Sequence, residues 1–287
     1  MSDQPEKQGD DEDHRGRVRQ WLLRILRIAA LSYIGFILVL KLLENRMVYL
    51  PSPWPKDTVV ELPDYIDDIP LLSPDGEVLH AWHLRHEQPK AHVMFFHGNA
   101  GNLIGRRFML QHLHDYHQVD VFALDYRGYG KSTGHPSEVS NMADARLARS
   151  RYAGLAGIPE SEIVLMGRSL GGGVAVDLAV GEGARGLILQ STFSSLPDVA
   201  SLQYPWLPVR WLMSNRYNSV DKIGDYNGPI LQSHSETDTI IPFGLAEKLF
   251  AAAHEPKRFV RFSDLDHNDS HPPNYHLELA AFLESLD

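Results

Sequence analysis

Three residues have the types and surroundings that acyl transfer requires. Ser169 lies in Gly167-Arg168-Ser169-Leu170-Gly171, directly after the apolar run Ile163–Met166 and before a helical stretch through Gly173–Val180. A G-x-S-x-G pattern between a strand and a helix forces a sharp turn that exposes the serine hydroxyl at the C-terminal edge of a sheet. The flanking glycines are needed because strand and helix approach too closely there for side chains. A serine hydroxyl is a poor nucleophile without a base, and the base needs a carboxylate to orient it. The chain order Ser, then Asp or Glu, then His points to Asp238 and His267. Asp238 follows the run Pro229–Gln232, and His267 follows the run Arg258–Phe262. Glu236 shares the first loop. Asp264, Asp266 and Asp269 crowd His267 but follow the wrong strand for that order.

An anionic intermediate would need two backbone donors. The segment His97-Gly98-Asn99-Ala100-Gly101-Asn102 follows the run His92–Phe96 and can present the amide of Asn99 beside that of Leu170, the residue after the nucleophile. His97 reads as a loop-structuring residue rather than a base. Arg127, in Asp125-Tyr126-Arg127-Gly128-Tyr129-Gly130, reads as a brace between loops, with substrate contact as the alternative. Two groups of histidines, His112, His114 and His117, and His80, His83 and His86, match no zinc spacing, so no metal and no cofactor are expected. With no cysteine, thiol nucleophiles, disulfides and iron–sulfur clusters are excluded.

The elements that must carry these residues are legible as alternation. A hairpin, Ile66–Leu72 and Val78–Leu84, turns at Ser73-Pro74-Asp75-Gly76. Six short apolar runs follow: His92–Phe96, Asp120–Leu124, Ile163–Met166, Gly186–Leu189, Pro229–Gln232 and Arg258–Phe262. Between them lie helical patterns at Arg106–Tyr116, Asn141–Tyr152, Gly173–Val180 and Leu245–Ala253. Runs this short and apolar suit strands buried on both faces. The pattern predicts an α/β fold: a mostly parallel eight-stranded sheet with helices on both faces. The 39 residues between Leu189 and Pro229 can form only a small cap, with Tyr204, Trp206, Trp211 and Tyr217 in it. Those aromatics either pack the cap on the sheet or form a rim for an acyl chain.

The 287 residues carry a net charge of −10, unevenly placed. Residues 1–43 hold 7 basic and 6 acidic groups, and residues 44–287 hold 20 and 31. The acidic balance argues against nucleic-acid binding. Residues 1–20 read as a disordered charged tail. Trp21–Leu43 reads as a membrane-spanning helix of roughly 35 Å, provided that Arg24, Arg27 and Lys41 snorkel. A signal peptide lacks a cleavage site in KLLENRM, and an interfacial helix would not be apolar all round from Ile28 to Leu40. Five arginines before the uncharged stretch Ile28–Leu40 place the N-terminus in the cytoplasm and residues 44–287, a single catalytic domain, on the far side, the periplasm in a bacterium.

The segments HGNAGN, DYRGYGKSTGHPSE, GRSLGGGVAVDLA, YPWLPVRWLM and HSETDTIIPF together resemble the α/β-hydrolase superfamily. More narrowly they resemble its bud-emergence-related subgroup, which includes mammalian membrane-associated α/β-hydrolase-domain proteins. The resemblance runs from about Glu44 to the C-terminus and includes the anchor. It implies a serine hydrolase with Ser169, Asp238 and His267 as its triad, without settling the substrate; the preferred reading is an ester or thioester of a lipophilic acyl group. Some relatives are anchored through lipidated cysteines, a route closed to this chain. An aminopeptidase-like hydrolase is the alternative, and it requires a carboxylate in the pocket to hold the substrate's amino terminus. A non-catalytic, membrane-tethered binding protein is the other, and such proteins often lose a triad member.

Overall fold

The computed structural model describes residues 7–55 and 60–286. The chain divides into two compact units, Met1–Glu44 and Asn45–Asp287. The first consists of most of helix α1, Lys7–Val48. Its stretch His14–Val48 is long and apolar enough to cross a membrane; an 18-residue window within it has a mean hydropathy of 2.0, and the protein buries none of that window. The structure departs from the reading of residues 1–20 as a tail, because 7–20 are helical; residues 1–6 lie outside the described residues. A charged composition denies those residues a core, but it does not oppose helix. Arg and Gln are good helix formers, and a helix propagates easily from a turn already formed.

Among the described residues of the second unit, eight strands form one sheet. They are β1 (Ile66–Leu72), β2 (Val78–Leu84), β3 (His92–Phe96), β4 (Asp120–Asp125), β5 (Ile163–Arg168), β6 (Gly186–Gln190), β7 (Ile230–Ser235) and β8 (Lys257–Phe262). Their order across the sheet is β1-β2-β4-β3-β5-β6-β7-β8. β2 runs antiparallel to both neighbours, and β3 to β8 are mutually parallel. Each of the six parallel strands overlaps an apolar run read from the sequence. Four of the runs end one to three residues early, because strands extend into polar residues such as Gln190 and Ser235 that also pair in the sheet. At the outer edge, β1 carries Asp67, Asp68 and Pro70, which discourage pairing with another chain.

Helices cover both faces: α2 (Leu103–His117), α3 (Glu138–Ala156), α4 (Leu170–Glu182), α5 (Leu196–Gln203), α6 (Val209–Leu212), α7 (Phe243–Ala252) and α8 (Pro273–Glu284). Two apolar clusters fill the space, one on each side of the sheet. One contains Phe122, Tyr152 and Leu189, the other Phe95, Val121 and Leu279. Capping sets where the helices begin. The Asn102 side chain accepts from the Ile104 amide at 3.0 Å to open α2, and Ser137 and Ser140 form a reciprocal capping box at α3. Successive parallel strands therefore deliver their loops to one edge of the sheet, and that edge holds the residues singled out above.

Candidate active site

Strand β5 ends at Arg168 and α4 begins at Leu170, so Ser169 makes the turn alone. Its backbone sits at φ 53° and ψ −121°, a sparsely populated region that costs about 1–3 kcal/mol for a residue with a side chain. The surroundings enforce it. A Cβ at Gly167 would overlap the Gly171 carbonyl, and one at Gly171 would overlap the Phe96 carbonyl of β3. Two hydrogen bonds pin the turn: Ser169 N–H donates to the Gln190 carbonyl at 2.9 Å, and the Thr192 hydroxyl donates to the Ser169 carbonyl at 2.7 Å.

The structure brings Ser169, His267 and Asp238 into one chain of hydrogen bonds. His267 Nε2 lies 3.1 Å from Ser169 Oγ, and its Nδ1 lies 2.7 Å from Asp238 Oδ2. Asp238 Oδ1 accepts from the amides of Ile240 and Ile241 at 2.9 and 2.8 Å. His234 Nε2 stands 3.3 Å from Asp238 Oδ2. Burial opposes the Asp238 charge, but the hydrogen bonds from His234, His267 and the Ile241 amide outweigh it and hold the carboxyl well below the usual carboxylate range. Asp238 thus remains an anion able to fix the imidazole with Nδ1 protonated and Nε2 free to accept the serine proton.

The carboxylates crowding His267 have other work. Asp266 Oδ1 accepts from the His267 amide at 2.8 Å and from the Thr239 amide and hydroxyl at 3.0 and 2.8 Å, which ties the two loops together. Asp269 Oδ2 accepts from the Asp266 amide at 2.8 Å. Glu236 is exposed. A residue that the sequence reading passed over completes the brace: Arg168 Nη2 donates to the carbonyls of His267 at 2.9 Å and Asp269 at 3.1 Å. Arg168 stands inside the G-x-S-x-G pattern, yet its partners are about a hundred residues away, so no local signal marked it.

Of the two expected oxyanion donors, Leu170 is the first residue of α4, where helical N–H groups have no partner within the helix. Asn99 lines the same cleft as Ser169. Its carbonyl accepts from the Leu50 amide at 2.9 Å and the Tyr129 hydroxyl at 2.6 Å, and its side chain donates to the Val48 carbonyl at 3.1 Å. The backbone runs close by, since a Cβ at Gly98 would stand 3.7 Å from Ser169 Oγ.

His97 is buried, with Nδ1 2.6 Å from the Gly98 carbonyl and Nε2 3.4 Å from Asp125. Arg127 donates through Nε and Nη2 to Asp144, both at 2.8 Å, and through Nη1 to Asp75 at 2.6 Å, so it braces the β1–β2 turn to α3. Neither residue lines the cleft. The two histidine groups read from the sequence do not hold together. His114 is engaged by Asp115 and the Arg85 carbonyl, His80 by Asp125 and Asp68, and His83 by Asp120. Instead His276 of α8 joins His112 and His117, their ligand atoms mutually within 4.8 Å; among the described residues this group could hold a cation. Its members come from two helices far apart in the chain, which spacing cannot reveal.

The cap is as small as expected, with α5 and α6 between β6 and β7. Its aromatics divide, with only Tyr217 packed into the core. Tyr217 is 1% exposed, but Tyr204, Trp206 and Trp211 are 40%, 59% and 90% exposed, and none of the four lines the cleft. That cleft encloses about 940 Å³, with Ser169 and His267 in its wall and Phe108, Met109, Leu113, Met166 and Leu279 as its apolar side.

A mostly parallel sheet in the order β1-β2-β4-β3-β5-β6-β7-β8 with helices on both faces agrees with the comparisons to known proteins. A family profile described as "alpha/beta hydrolase fold" matches residues 91–221. The α/β-hydrolase domain-containing protein WAV2 of Arabidopsis thaliana is 32% identical over 256 residues, covering 79% of this chain and 82% of its own. Protein bem46 of Schizosaccharomyces pombe is 28% identical over 293 residues, covering 95% and 97%. The chain belongs to the α/β-hydrolase family, and bem46 among its relatives agrees with the subgroup resemblance. Among solved structures, an esterase from Pyrococcus furiosus, Pf2001, superposes with a TM-score of 0.65 at 16% identity, over 83% of this chain and 98% of that one. At that identity the likeness is one of fold.

Proposed function

We propose that the protein is a membrane-anchored serine hydrolase that cleaves acyl esters or thioesters through an acyl–Ser169 intermediate. The observation that carries this reading is the hydrogen-bond chain Ser169–His267–Asp238 opening on a cleft with an apolar wall. Ser169 Oγ attacks the substrate carbonyl as its proton passes to His267 Nε2. The amides of Asn99 and Leu170 receive the negative charge that develops on the carbonyl oxygen. His267 then gives its proton to the departing alcohol or thiol. A water molecule, deprotonated by the same nitrogen, attacks the acyl-enzyme, and the Ser169 Oγ–acyl bond breaks to release the acid. Asp238 stays ionised throughout and stabilises the imidazolium.

The aminopeptidase alternative requires a carboxylate in the pocket, and the described residues lining the cleft include no Asp or Glu. A non-catalytic role has no support in the site, where all three triad members are present and in contact. For placement, α1 serves as the anchor, with five arginines before its uncharged stretch Ile28–Leu40 and two basic residues, Lys41 and Arg46, after it. By the positive-inside rule the N-terminus is cytoplasmic and the catalytic domain, 44–287, lies across the membrane.

Labelling with a long-chain fluorophosphonate tests the chemistry. Wild type should be labelled and Ser169→Ala should not; a folded wild type that resists labelling refutes the serine reading, and a labelled variant refutes the assignment. Carbonate extraction tests the anchor, since release of intact protein from membranes is incompatible with a spanning helix.

A further inference from the structure

The charge of the cleft runs against that of its domain. Residues 44–287 carry 31 acidic and 20 basic groups, yet the described lining contains two arginines, five histidines and no carboxylate. Neither arginine forms an ion pair among the described residues. Arg168 is occupied by the carbonyls of His267 and Asp269. Arg106, on α2, makes a single hydrogen bond, from Nη2 to the Ala100 carbonyl at 2.7 Å, and its Nε is buried with no partner. The nearby acid, Asp125, is already committed to His80, His97 and the Leu103 amide.

A partly buried guanidinium with a spare donor and no counter-ion is costly to keep. Such a group is accounted for when a ligand supplies the missing charge, since a guanidinium donates to a carboxylate or phosphate through a fork of parallel N–H groups. His271 adds a hydrogen-bonding group to the cleft without adding charge, since burial pushes it down to about 3.

Position relates the guanidinium to the nucleophile. A Cβ at Gly101 would stand 3.7 Å from Arg106 Nη2, and one at Gly98 would stand 3.7 Å from Ser169 Oγ. Three residues of backbone separate Gly98 from Gly101, a span of at most roughly 10 Å, and Arg106 and Ser169 line the same cleft.

We propose that Arg106 is an anion-recognition residue, and that the substrate is an acyl ester or thioester carrying an oxyanion group, carboxylate or phosphate, close to its scissile bond. This rests on the serine-hydrolase reading above and narrows its substrate class. The apolar wall takes the hydrocarbon part, and Arg106 takes the charge.

Two matched ester pairs test it. One places the anion on the acyl side: 4-nitrophenyl hydrogen glutarate against 4-nitrophenyl butyrate. The other places it on the alcohol side: 4-carboxyphenyl butyrate against its methyl ester. For one pair at least, wild type should favour the anionic member about tenfold in kcat/KM, mainly through KM, as a charge-assisted pair in a half-open site can supply. That preference should collapse in Arg106→Gln and return in part in Arg106→Lys. Ratios near one for both pairs in wild type, or a preference that survives in Arg106→Gln, overturn the proposal while leaving the serine chemistry standing. Should wild type hydrolyse none of the four esters, the serine reading falls. Calorimetry with glutarate and with inorganic phosphate then decides the anion site: uptake abolished by Arg106→Gln supports it, and no uptake by wild type overturns it.

Discussion

The sheet carries the same pair of groups at opposite edges with opposite consequences. At the C-terminal edge, His267 Nδ1 meets Asp238 at 2.7 Å; at the other, His83 Nε2 meets Asp120 at 2.8 Å. Both pairs are buried, and hydrogen bonds hold both carboxyls well below the usual range despite burial. They differ in what the rest of each pair faces. His267 presents Nε2 to Ser169 and to a cleft. His83 packs edge-on to Tyr152 with ring centroids 5.5 Å apart, and the Tyr152 hydroxyl donates to Asp120 at 2.7 Å. A His–Asp pair therefore has no chemistry of its own. It acquires a catalytic arrangement where the free nitrogen meets a hydroxyl that substrate can reach, and it is a strut where rings and a tyrosine close that approach.

Substitutions at each pair should separate the two roles. The largest effect belongs to Asp238→Asn. The amide holds the ring in the wrong tautomer, so turnover of a neutral ester per folded molecule should fall on the order of 10⁴-fold, together with a loss of stability because this buried pair loses its charge. Near-normal turnover would show that Asp238 does not orient the base. Asp120→Asn should share only the loss of stability: about 3 kcal/mol in denaturant unfolding, because a buried pair loses its charge, with turnover per folded molecule within about twofold. A large drop in its turnover would erase the distinction between the two edges.

A smaller effect tests a third buried imidazole. His271 packs on Tyr275 with centroids 4.1 Å apart. Burial first, then Arg168 and His276, pull it down to about 3 from 6.5. Its folded value is depressed, so its contribution to stability is complete above about pH 6.5 and is lost as pH falls from there towards 3. Between pH 7.5 and pH 5 the loss from this group is about 2 kcal/mol. His271→Gln should flatten that part of the stability profile. An unchanged slope would mean that His271 does not resist protonation.

Much of this was readable from residue order. The six parallel strands, the hairpin and the turn at Ser169 all showed in local pattern, because short apolar runs and glycine spacing reflect constraints on neighbouring residues. Asp238 and His267 were picked out as candidates from their place after β7 and β8, since a parallel sheet brings every such loop to one edge. Helix α8 was not read, its start marked by two prolines rather than by a side-chain cap. The tail was misread over residues 7–20, because composition speaks to burial and not to helix.

By itself, the sequence determined the alternating α/β architecture, the nucleophile turn, the order of the three triad candidates, the apolar N-terminal helix and the exclusion of cysteine chemistry. Tertiary structure alone decided which carboxylates do what. Asp238 faces the imidazole while Asp266, nearer in sequence, holds the loop backbone. It also gathered His276 to His112 and His117, set Arg168 against the His267 loop, and kept the cleft clear of acids in an acidic domain. The reason is physical. Periodicity and turn chemistry act over a few residues, whereas the charge and hydrogen bonding of a cleft are sums over segments that meet only when the sheet has closed its edge.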